Sequence, residues 1–519
     1  MGKKLLIGLS VGGLTLLALG LVACFVYPVI YNNEASLVEG SEVYDEWQAP
    51  DYPIYMKFTM FSFNNSDEFL NGTDDSPSVQ QVGLLSYREY QNKVNISFEA
   101  DSKKVRYYNN KMYVFDEATS TMAENDTVVV PNILLFTLAQ FAEDSVAAVG
   151  DIVRNVTNTL CKSGNSTEEN SVAPFYTVEG GDLLWGYNEN ALLVALQTKL
   201  DEFPYSLLKI TIPTSIGLQL NDTNDGLYEI YTGKGDDNSN RGIIEKWNNS
   251  TTLSYWNETS CNMINGTDGT VYPTNVNKNE RLYIFNTQVC RSIFVTASAD
   301  EKIAGIKTAK FTAPPEVFKV DFENNPGFCP DGNASKCLGD GLLDVSNCIQ
   351  EQMKDALNLP IDLPLSVVIS SPEFLDASQE RIDSIIGFNP DPTKHETFIN
   401  MELDSGIILK AAKRVQLNTE MKWFKDIESL PPIEPDNWPY LVPLFWGGEY
   451  LPVDDKLTGQ VKQLNRVNLS VDVLSYLAIA FGCLFLVVTV ALVIYASYKK
   501  RQNYDVDDVD RSALLGKQF

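Results

Sequence analysis

The residues best suited to chemistry are a single histidine, His395, and eight cysteines in a chain of 519 residues. One histidine excludes a multi-histidine zinc site and leaves a Ser-His-Asp triad only one possible base. The chain also contains no HExxH or P-loop motif. It is therefore predicted not to be an enzyme and to need no metal or other cofactor.

Six of the cysteines lie between two long apolar segments, and four of these crowd between positions 290 and 348. No CxxC pair occurs, so their spacing favours disulfide bonds in an oxidising compartment over zinc binding. Spacing alone leaves the pairing open. The six residues are Cys161, Cys261, Cys290, Cys329, Cys337 and Cys348.

Asn-x-Ser/Thr triplets, the acceptors for N-glycosylation, are over-represented. Thirteen occur, whereas random mixing of this composition predicts about five. All lie between the two apolar segments, which indicates a heavily glycosylated domain in the secretory pathway. The acceptor residues are Asn64, Asn71, Asn95, Asn125, Asn155, Asn165, Asn221, Asn248, Asn249, Asn257, Asn265, Asn333 and Asn468.

The apolar segments, residues 5–31 and 473–498, predict two transmembrane helices. Neither carries a charge, and each exceeds the roughly 20 residues that a helix needs to cross the hydrocarbon core. The first is also longer than the apolar core of a cleaved signal peptide, which has roughly 7–15 residues. Basic residues flank the outer end of each segment, so the positive-inside rule places residues 1–4 and 499–519 in the cytosol. Residues 32–472 then form one lumenal or extracellular domain.

The net charge of −28 argues against a nucleic-acid partner, because phosphate binding needs clustered Lys and Arg. Removing the seven basic and four acidic residues of the cytosolic ends leaves 33 basic and 64 acidic residues, a charge of −31. Self-repulsion within this domain should ease as carboxylates are protonated in an acidic compartment. An acidic surface that serves solubility alone has the same composition.

Short alternating segments predict a mostly antiparallel sheet. Residues 54–60 and 415–422 have the period of two that is typical of strands, the second with one solvated face, and residues 105–115 indicate a hairpin that turns at Asn109 and Asn110. Residues 132–162 instead repeat apolar side chains at three and four, which predicts two helices separated at Gly150, and residues 190–202 predict another. Such a stripe serves core packing, or its extra apolar residues meet a protein or lipid partner.

Several blocks resemble the class B scavenger receptor family, which includes fatty-acid translocase and the lysosome integral membrane proteins. They occur in the family's order, and with the two terminal spans they cover nearly the whole chain. The lysosomal branch is the more similar. The blocks are Asp182–Tyr187 (DLLWGY), Asn224–Gly226 (NDG), Tyr231–Gly233 (YTG), Cys261–Asp268 (CNMINGTD), Cys290–Ile293 (CRSI), His395–Ile399 (HETFI), Ser405–Arg414 (SGIILKAAKR) and Asn418.

The resemblance implies a membrane-anchored α+β protein, with a large antiparallel β-barrel ectodomain, a helical bundle at its apex and two transmembrane helices. It also implies a lipid or sterol tunnel through the barrel. The lysosomal pattern implies that Cys290 pairs with Cys348 and Cys329 with Cys337. The pattern of fatty-acid translocase instead implies that Cys329 pairs with Cys261.

In the family the apex helices bind ligands, and in the lysosomal branch they bind a lumenal hydrolase. The resemblance places Leu135, Phe136, Glu143, Asp144 and Asp151 at this apex. Histidine protonation is thought to release the hydrolase in that branch, but these helices contain no histidine. Carboxylates would therefore have to provide any pH response, and His395 is expected to be a satisfied structural residue. A glycan on Asn155 would block one face of the apex.

The C-terminal tail contains an acidic dileucine pattern, in which Asp510 precedes Leu514 and Leu515. An extended, disordered peptide of this type places two leucines in an apolar adaptor pocket and its carboxylate against a basic patch. The pattern predicts sorting by clathrin adaptor complexes.

Together these features predict a lysosomal or endosomal receptor that binds lipid, passes through the endosome and cell surface in transit, and can also escort a hydrolase. The alternative is a plasma-membrane scavenger or phagocytic receptor.

Overall fold

A computed structural model describes residues 3–202, 211–235, 238–320, 325–332, 336–356, 362–432, 434–435 and 438–515, with the backbone alone at positions 3, 331 and 503–515. The sequon at Asn333 lies outside the described residues. The chain divides into two compact units, Met1–Ala35 with Thr458–Phe519, and Ser36–Leu457.

The helices and strands alternate irregularly along the chain. The helices are α1 Lys3–Glu34, α2 Glu42–Gln48, α3 Ser66–Leu70, α4 Ile133–Asp144, α5 Ala147–Cys161, α6 Ser166–Ser171, α7 Gly180–Trp185, α8 Ala191–Glu202, α9 Ser346–Ala356, α10 Gln379–Asp383, α11 Pro392–His395 and α12 Asp455–Leu515. The strands are β1 Ile54–Phe63, β2 Val79–Phe98, β3 Lys104–Phe115, β4 Thr127–Pro131, β5 Phe175–Glu179, β6 Thr223–Tyr231, β7 Ile244–Trp247, β8 Leu282–Asn286, β9 Arg291–Ile303, β10 Ile306–Thr312, β11 Leu342–Asp344, β12 Val368–Ser370, β13 Phe398–Glu402, β14 Ile407–Met421 and β15 Tyr440–Leu451.

In the first unit, α1 and α12 each contain an apolar stretch long enough to cross a membrane, within Lys4–Glu34 and Asp455–Gln502. The two helices pack closely where small residues meet. A Cβ atom at Gly20 would lie 2.7 Å from Ile479 Cγ1, and one at Gly482 would lie 2.7 Å from the backbone nitrogen of Leu17. Small residues at such positions let helix backbones approach, which is how helices associate in a membrane.

The second unit is built on a 13-stranded antiparallel sheet. Its main order is β7-β6-β3-β2-β1-β15-β14-β13-β10-β9-β8, with β12 beside β14 and β11 beside β12. Strands β4 and β5 form a separate pair. The α+β class with one large antiparallel sheet therefore agrees with the sequence analysis.

Within the described residues the sheet does not close into the barrel that the resemblance implied, because it ends at β7 and β8. The segment around Gly266 and Thr267 lies between these edges. Ile244 N–H donates to Gly266 O (2.9 Å), and Phe285 N–H donates to Thr267 O (2.8 Å). Gly266 has φ 80°, a left-handed conformation that interrupts an extended strand. The two edges are thus linked by a loop and not by a continuous ladder.

Two strand predictions need correction. Residues 105–115 lie in one strand, β3, which pairs with both β2 and β6. Asn109 is buried beside Gln91 and a register shift follows Tyr108, so the asparagine pair marks a polar buried face and an irregularity in the ladder, not a turn.

Residues 415–421 lie in β14 and Lys422 follows its end, but part of the expected solvated face is buried. Gln416 and Asn418 are fully buried. Their amides are satisfied: Gln416 Nε2 donates to Asn418 Oδ1, and Asn418 Nδ2 donates to Val368 O. The strand β12 pairs with β14 at these residues, and Glu373, just after β12, donates its backbone N–H to Gln416 Oε1. The local sequence alone shows neither contact.

The helices predicted for residues 132–162 are α4 and α5, and α8 matches the third. They separate at Ser145 and Val146, not at Gly150, which lies inside α5. A Cβ atom at Gly150 would approach Ala142 O to 2.4 Å. Glycine is required there because α5 passes close to the end of α4, so it permits packing and does not break the helix.

Candidate functional site: the buried face of the sheet

One face of β2, β3, β14 and β15 carries charged residues where an apolar surface is the usual choice. Along β2 the buried side chains are Tyr87, Glu89, Gln91 and Lys93, which alternate with more exposed neighbours. Glu89 pairs with Tyr113 on β3, and Glu449 on β15 pairs with Lys413 on β14. We call Glu89, Lys93, Lys111, Lys413 and Glu449 the buried-face cluster.

Three ion pairs link the charges of this cluster from β3 to β14. Lys413 Nζ lies 2.6 Å from Glu449 Oε1. Lys111 Nζ lies 3.5 Å from Glu89 Oε1 and 3.7 Å from Glu449 Oε2. A shared lysine between two carboxylates offsets part of the cost of removing them from water.

Burial and pairing act in opposite directions on these groups. Burial raises the pKa of Glu89, and nearby Glu449 raises it further, although Lys111 opposes both. Burial also favours the neutral form of Glu449, but Lys413 and Lys111 hold its pKa well below the usual range. The cluster thus contains one carboxylate held ionised and one that is easier to protonate.

Lys93 forms no ion pair with a carboxylate among the described residues. It is buried, and among the described residues its ammonium has no hydrogen-bond partner; the ring of Trp47 lies 5.7 Å away. Burial lowers its pKa to about 8. Glu89 Oε2, Asn109 Oδ1 and the Tyr272 hydroxyl are also buried without a partner in the described part of the chain. Buried polar atoms are costly when unsatisfied, so this pattern indicates a place for water or a polar ligand group.

The same face becomes apolar away from the charges. A cluster of buried side chains there includes Met56, Phe58, Met60, Leu85, Leu184 and Phe445. Trp185 connects the two parts: its ring packs on Phe58 and Tyr87 and lies stacked against Tyr113, 5.3 Å away. The buried face is therefore polar at one end and aromatic and aliphatic at the other.

The DLLWGY block positions this aromatic group. Leu183 and Leu184 are buried, and α7 ends at Gly186, which has φ 66°. A Cβ atom at Gly186 would lie 2.5 Å from the backbone nitrogen of Gly217. The glycine thus ends the helix and allows the close backbone approach that places Trp185 in the core.

The sequence analysis did not identify the buried-face cluster. The only trace of this cluster in the local sequence is the alternation of the polar residues Glu89, Gln91 and Lys93, and later of Asn109 and Lys111. Polar residues with a period of two usually indicate a solvated face. Only strand pairing shows that these residues face one another.

The predicted apex residues do not form one surface. Leu135 and Phe136 are buried in a core cluster that includes Trp438, so the interpretation that they contact a partner does not agree with their positions. Glu143, Asp144 and Asp151 are exposed. Val146, between α4 and α5, is 73% exposed, and the sequence analysis did not single it out.

Four of the six cysteines form disulfide bonds in the structure. Cys290 is bonded to Cys348 and Cys329 to Cys337, with Cα–Cα distances of 6.2 and 4.7 Å. Cys161 and Cys261 are not disulfide-bonded. This pairing is the lysosomal pattern, and no described group of His, Cys, Asp and Glu residues has the arrangement of a metal site.

His395 lies apart from the helical bundle and is buried. Its Nδ1 accepts a hydrogen bond from Asp391 N–H (3.0 Å), and its Nε2 lies 3.6 Å from Glu373 Oε1. Burial lowers its pKa, although Glu373 and Asp391 oppose this. These contacts agree with the expected structural role.

The sorting residues Asp510, Leu514 and Leu515 lie in the last turns of α12. Their backbone is helical here, whereas the sequence analysis expected an extended peptide. Residues 499–515 contain neither glycine nor proline, so the preceding helix extends through them without a new nucleation step.

Most acceptor asparagines of the described sequons are exposed, with Asn265 and Asn468 intermediate. Several already use their amides. Asn221 exchanges two hydrogen bonds with the backbone of Tyr113, and Asn257 Nδ2 donates to Cys329 O. Asn468, on α12, accepts a hydrogen bond from Tyr27 Oη on α1 (2.6 Å).

Two terminal apolar helices and, between them in the sequence, one large disulfide-bonded domain are the architecture of a membrane-anchored protein. The model of the CD36 family matches residues 10–493. The chain belongs to the CD36 family, whose members are non-enzymatic receptors.

Individual relatives cover most of the chain. Lysosome membrane protein 2 of Rattus norvegicus is 31% identical over 454 residues, which are 86% of this chain and 85% of that protein. The Homo sapiens protein of the same name is 31% identical over 451 residues, with the same shares. Scavenger receptor class B member 1 of Rattus norvegicus is 29% identical over 446 residues, which are 85% of this chain and 79% of that protein.

Proposed function

We propose that this protein is a lysosomal membrane receptor that binds a lipid or sterol on the buried face of its sheet. The observation that carries the proposal is the mixed character of that face. An amphiphile has the same division: its polar group would meet Lys93 and the unsatisfied oxygen atoms, and its apolar body would lie against Met56, Phe58 and Leu184. The similarity to lysosome membrane protein 2 supports the location.

The proposed topology follows from the flanking charges. Residues 5–31 and 473–498 span the membrane, both termini are cytosolic, and residues 32–472 form the glycosylated lumenal domain. Protease added to intact organelles should leave this domain whole, and endoglycosidase should increase its gel mobility. Digestion of the domain in sealed organelles would contradict the orientation.

The lipid proposal is tested on the full chain purified in detergent. Native mass spectrometry should find a co-purified lipid or sterol in the wild-type protein. The substitution Lys93→Met removes the unpaired ammonium and nearly preserves side-chain length, so a ligand with a polar or anionic group should be lost or reduced at least tenfold.

The matched control is Lys103→Met, at an exposed lysine in the turn between β2 and β3. It should retain the wild-type amount of ligand. Absence of any co-purified or added lipid, or equal loss in both variants, would reject the proposal.

Escort of a lumenal hydrolase is a second candidate function. The observation in its favour is the exposed Val146 beside the exposed carboxylates Glu143, Asp144 and Asp151. An apolar side chain surrounded by charge is a plausible centre for a protein contact. In cells that express only Val146→Asp, at least one hydrolase should be depleted from lysosomes; an unchanged lysosomal protein composition would argue against escort.

The sorting signal in the C-terminal tail distinguishes the proposed lysosomal receptor from a plasma-membrane receptor. The terminal turn of an isolated helix opens at little cost, which allows Asp510–Leu515 to bind an adaptor as an extended peptide. Surface labelling of Leu514→Ala with Leu515→Ala should rise several-fold, whereas Ser512→Ala should behave as wild type. Equal surface labelling of all three proteins would instead favour the plasma-membrane receptor.

A further inference from the structure

A cavity lies on the other side of the sheet from the buried-face cluster. It has a volume of about 590 Å³, within the range of small-ligand sites. It is formed between strands β14 and β15 and the segment that contains α10 and α11. The lining residues that carry the argument are Gln81, Glu373, Asn389, Arg414, Trp446 and Tyr450.

The polar side chains of this cavity are held in place by one another. Gln81 Nε2 donates to Glu373 Oε1, and the Trp446 indole N–H donates to Gln81 Oε1 (3.2 Å). Glu373 Oε2 accepts the backbone N–H of Asn389 (2.6 Å). The ring of His395 packs edge-on against Trp446, 5.8 Å away. These contacts pre-organise the walls, which lowers the ordering cost of binding.

Backbone strain is concentrated at the same place. Glu373, Phe374 and Asp376 have φ values of 53°, 57° and 70°, a region that residues with a Cβ atom rarely occupy. Gln416 Oε1 accepts the N–H of Glu373 (2.6 Å) and holds this conformation. Such strain persists only where surrounding contacts enforce it, and it concentrates at binding sites.

The charges that surround His395 in this cavity are balanced. Two cations, Lys394 and Arg414, are matched by two carboxylates, Glu373 and Asp391. Lys394 Nζ lies 3.8 Å from Asp391 Oδ2. Because Nδ1 of His395 accepts a hydrogen bond and burial lowers its pKa, the ring adds no charge at neutral pH. Asp391 is not itself part of the lining, but it pairs with Lys394, so the lining together with this neighbour has no excess charge to favour an ion.

The lining instead suits a ligand with many hydroxyl groups. The amides of Gln81 and Asn389 can both donate to and accept from hydroxyls, and the carboxylate of Glu373 can accept from them. The guanidinium of Arg414 has five N–H groups, two of which donate to Tyr450 Oη (3.0 Å) and Glu396 O. Trp446 and Tyr450 add flat rings against which the C–H groups of a sugar can pack.

A strip of alternating rings and cations continues from the cavity across the sheet. Lys57 Nζ lies 5.5 Å from the ring centres of both Tyr55 and Tyr450. Arg414 Cζ lies 5.2 Å from the Tyr450 ring and 5.7 Å from the Phe398 ring. None of the thirteen sequons falls within β1, β13, β14 or β15, all of which are described throughout. This face is therefore free of attachment points for the protein's own glycans on those strands.

We propose that the cavity lined by Gln81, Glu373, Asn389, Arg414, Trp446 and Tyr450 binds a terminal neutral hexose of a glycan, with further sugar units lying along the strip towards Tyr55. The site lies on the opposite side of the sheet from the proposed lipid site and does not depend on it.

The test uses the full chain, purified in a detergent without a sugar headgroup. Saturation-transfer NMR and calorimetric titration are run with mannose, galactose, N-acetylglucosamine and a branched oligosaccharide of these sugars. At least one hexose should bind, and the oligosaccharide should bind at least tenfold more tightly because it also contacts the strip. Arg414→Ala and Trp446→Leu should each weaken binding at least tenfold.

Controls distinguish recognition from general damage. Trp446→Phe retains a ring and should bind within about threefold of wild type, and Lys103→Ala, at an exposed position, should bind as wild type. Both cavity variants should keep the co-purified lipid.

Three results would overturn the proposal: no sugar binds, sugar binding is unchanged in Arg414→Ala and Trp446→Leu, or inorganic phosphate binds at this cavity more tightly than any sugar. The last result would identify an anion site. If the cavity variants fail to fold, the rim variant Asn389→Ala provides the same comparison, and its unchanged sugar binding would count against the proposal.

Discussion

Lys413 Nζ and Glu449 Oε1 lie 2.6 Å apart on neighbouring strands, and Lys111 contributes a second positive charge 3.7 Å from the other oxygen of Glu449. The three side chains are largely removed from solvent. The carboxylate of Glu449 stabilises the fold because it offsets the charge of two ammonium groups, those of Lys413 and Lys111. Their arrangement makes the buried-face cluster sensitive to the loss of any one member.

Removal of the Glu449 charge should destabilise the second unit. Glu449→Gln leaves Lys413 and Lys111 without their shared carboxylate, and we expect a loss on the order of 3 kcal/mol because breaking a buried pair exposes uncompensated charge. Urea unfolding followed by tryptophan fluorescence measures this. Asp300→Asn is the control: Asp300 pairs with Lys278 at an exposed site, so its loss should cost less than about 1 kcal/mol. Equal effects would contradict the role of the cluster.

Stability should depend on the protonation of Glu89. Its pKa is raised by burial in the folded chain, against an unfolded value of about 4.3. Its protonation therefore contributes stability that is fully present below pH 4.3 and is lost as the pH rises through the folded pKa. Glutamine cannot ionise, so Glu89→Gln does not lose stability in this way as the pH rises. The free energy of unfolding of the variant relative to wild type should therefore increase between pH 4.3 and 7. A constant difference across this range would show that Glu89 does not titrate there.

The close contact between α1 and α12 should tolerate substitution at Gly8 but not at Gly20. A Cβ atom at Gly20 would lie 2.7 Å from Ile479 Cγ1 and 2.8 Å from Ser475 O, whereas one at Gly8 meets no atom within 4 Å. Gly20→Leu should therefore separate the helices. The readout is thiol cross-linking of Tyr27→Cys to Asn468→Cys in a background with Cys24→Ser and Cys483→Ser. Cross-linking should fall at least fivefold with Gly20→Leu and stay unchanged with Gly8→Leu.

We expect sequons whose acceptor amide is already hydrogen-bonded to remain unglycosylated, and those with a free acceptor amide to be glycosylated. Asn125 is exposed and has no side-chain hydrogen bond within the described residues, while Asn221 accepts the N–H of Tyr113 at Oδ1 and donates from Nδ2 to Tyr113 O. A glycan on Asn221 would disrupt the bonds that hold β6 near β3, so we expect it to be unoccupied. Asn125→Gln should increase gel mobility by one glycan before endoglycosidase treatment, and Asn221→Gln should leave it unchanged. The reverse pattern would show that this contact does not limit glycosylation.

The sequence by itself determined the features that depend on neighbouring residues. Apolar length and flanking lysines identify residues 5–31 and 473–498, and the alternation from Ile54 to Met60 is sufficient for a strand because adjacent side chains of a strand point to opposite faces. The DLLWGY block and its companions indicated the family, which the matches over most of the chain confirm.

Tertiary structure alone decided which polar residues are buried and what they meet. Glu89 and Glu449 are 360 positions apart, yet both reach Lys111 because β2 and β15 are each paired with β1. Likewise, the amide of Asn418 is satisfied by Val368 and Ser370 of β12, a strand about 50 positions earlier, and Gly150 is needed where α5 passes Ala142 O at the end of α4. Local sequence specifies the periodicity of an element, but burial depends on distant segments whose pairing no short window contains.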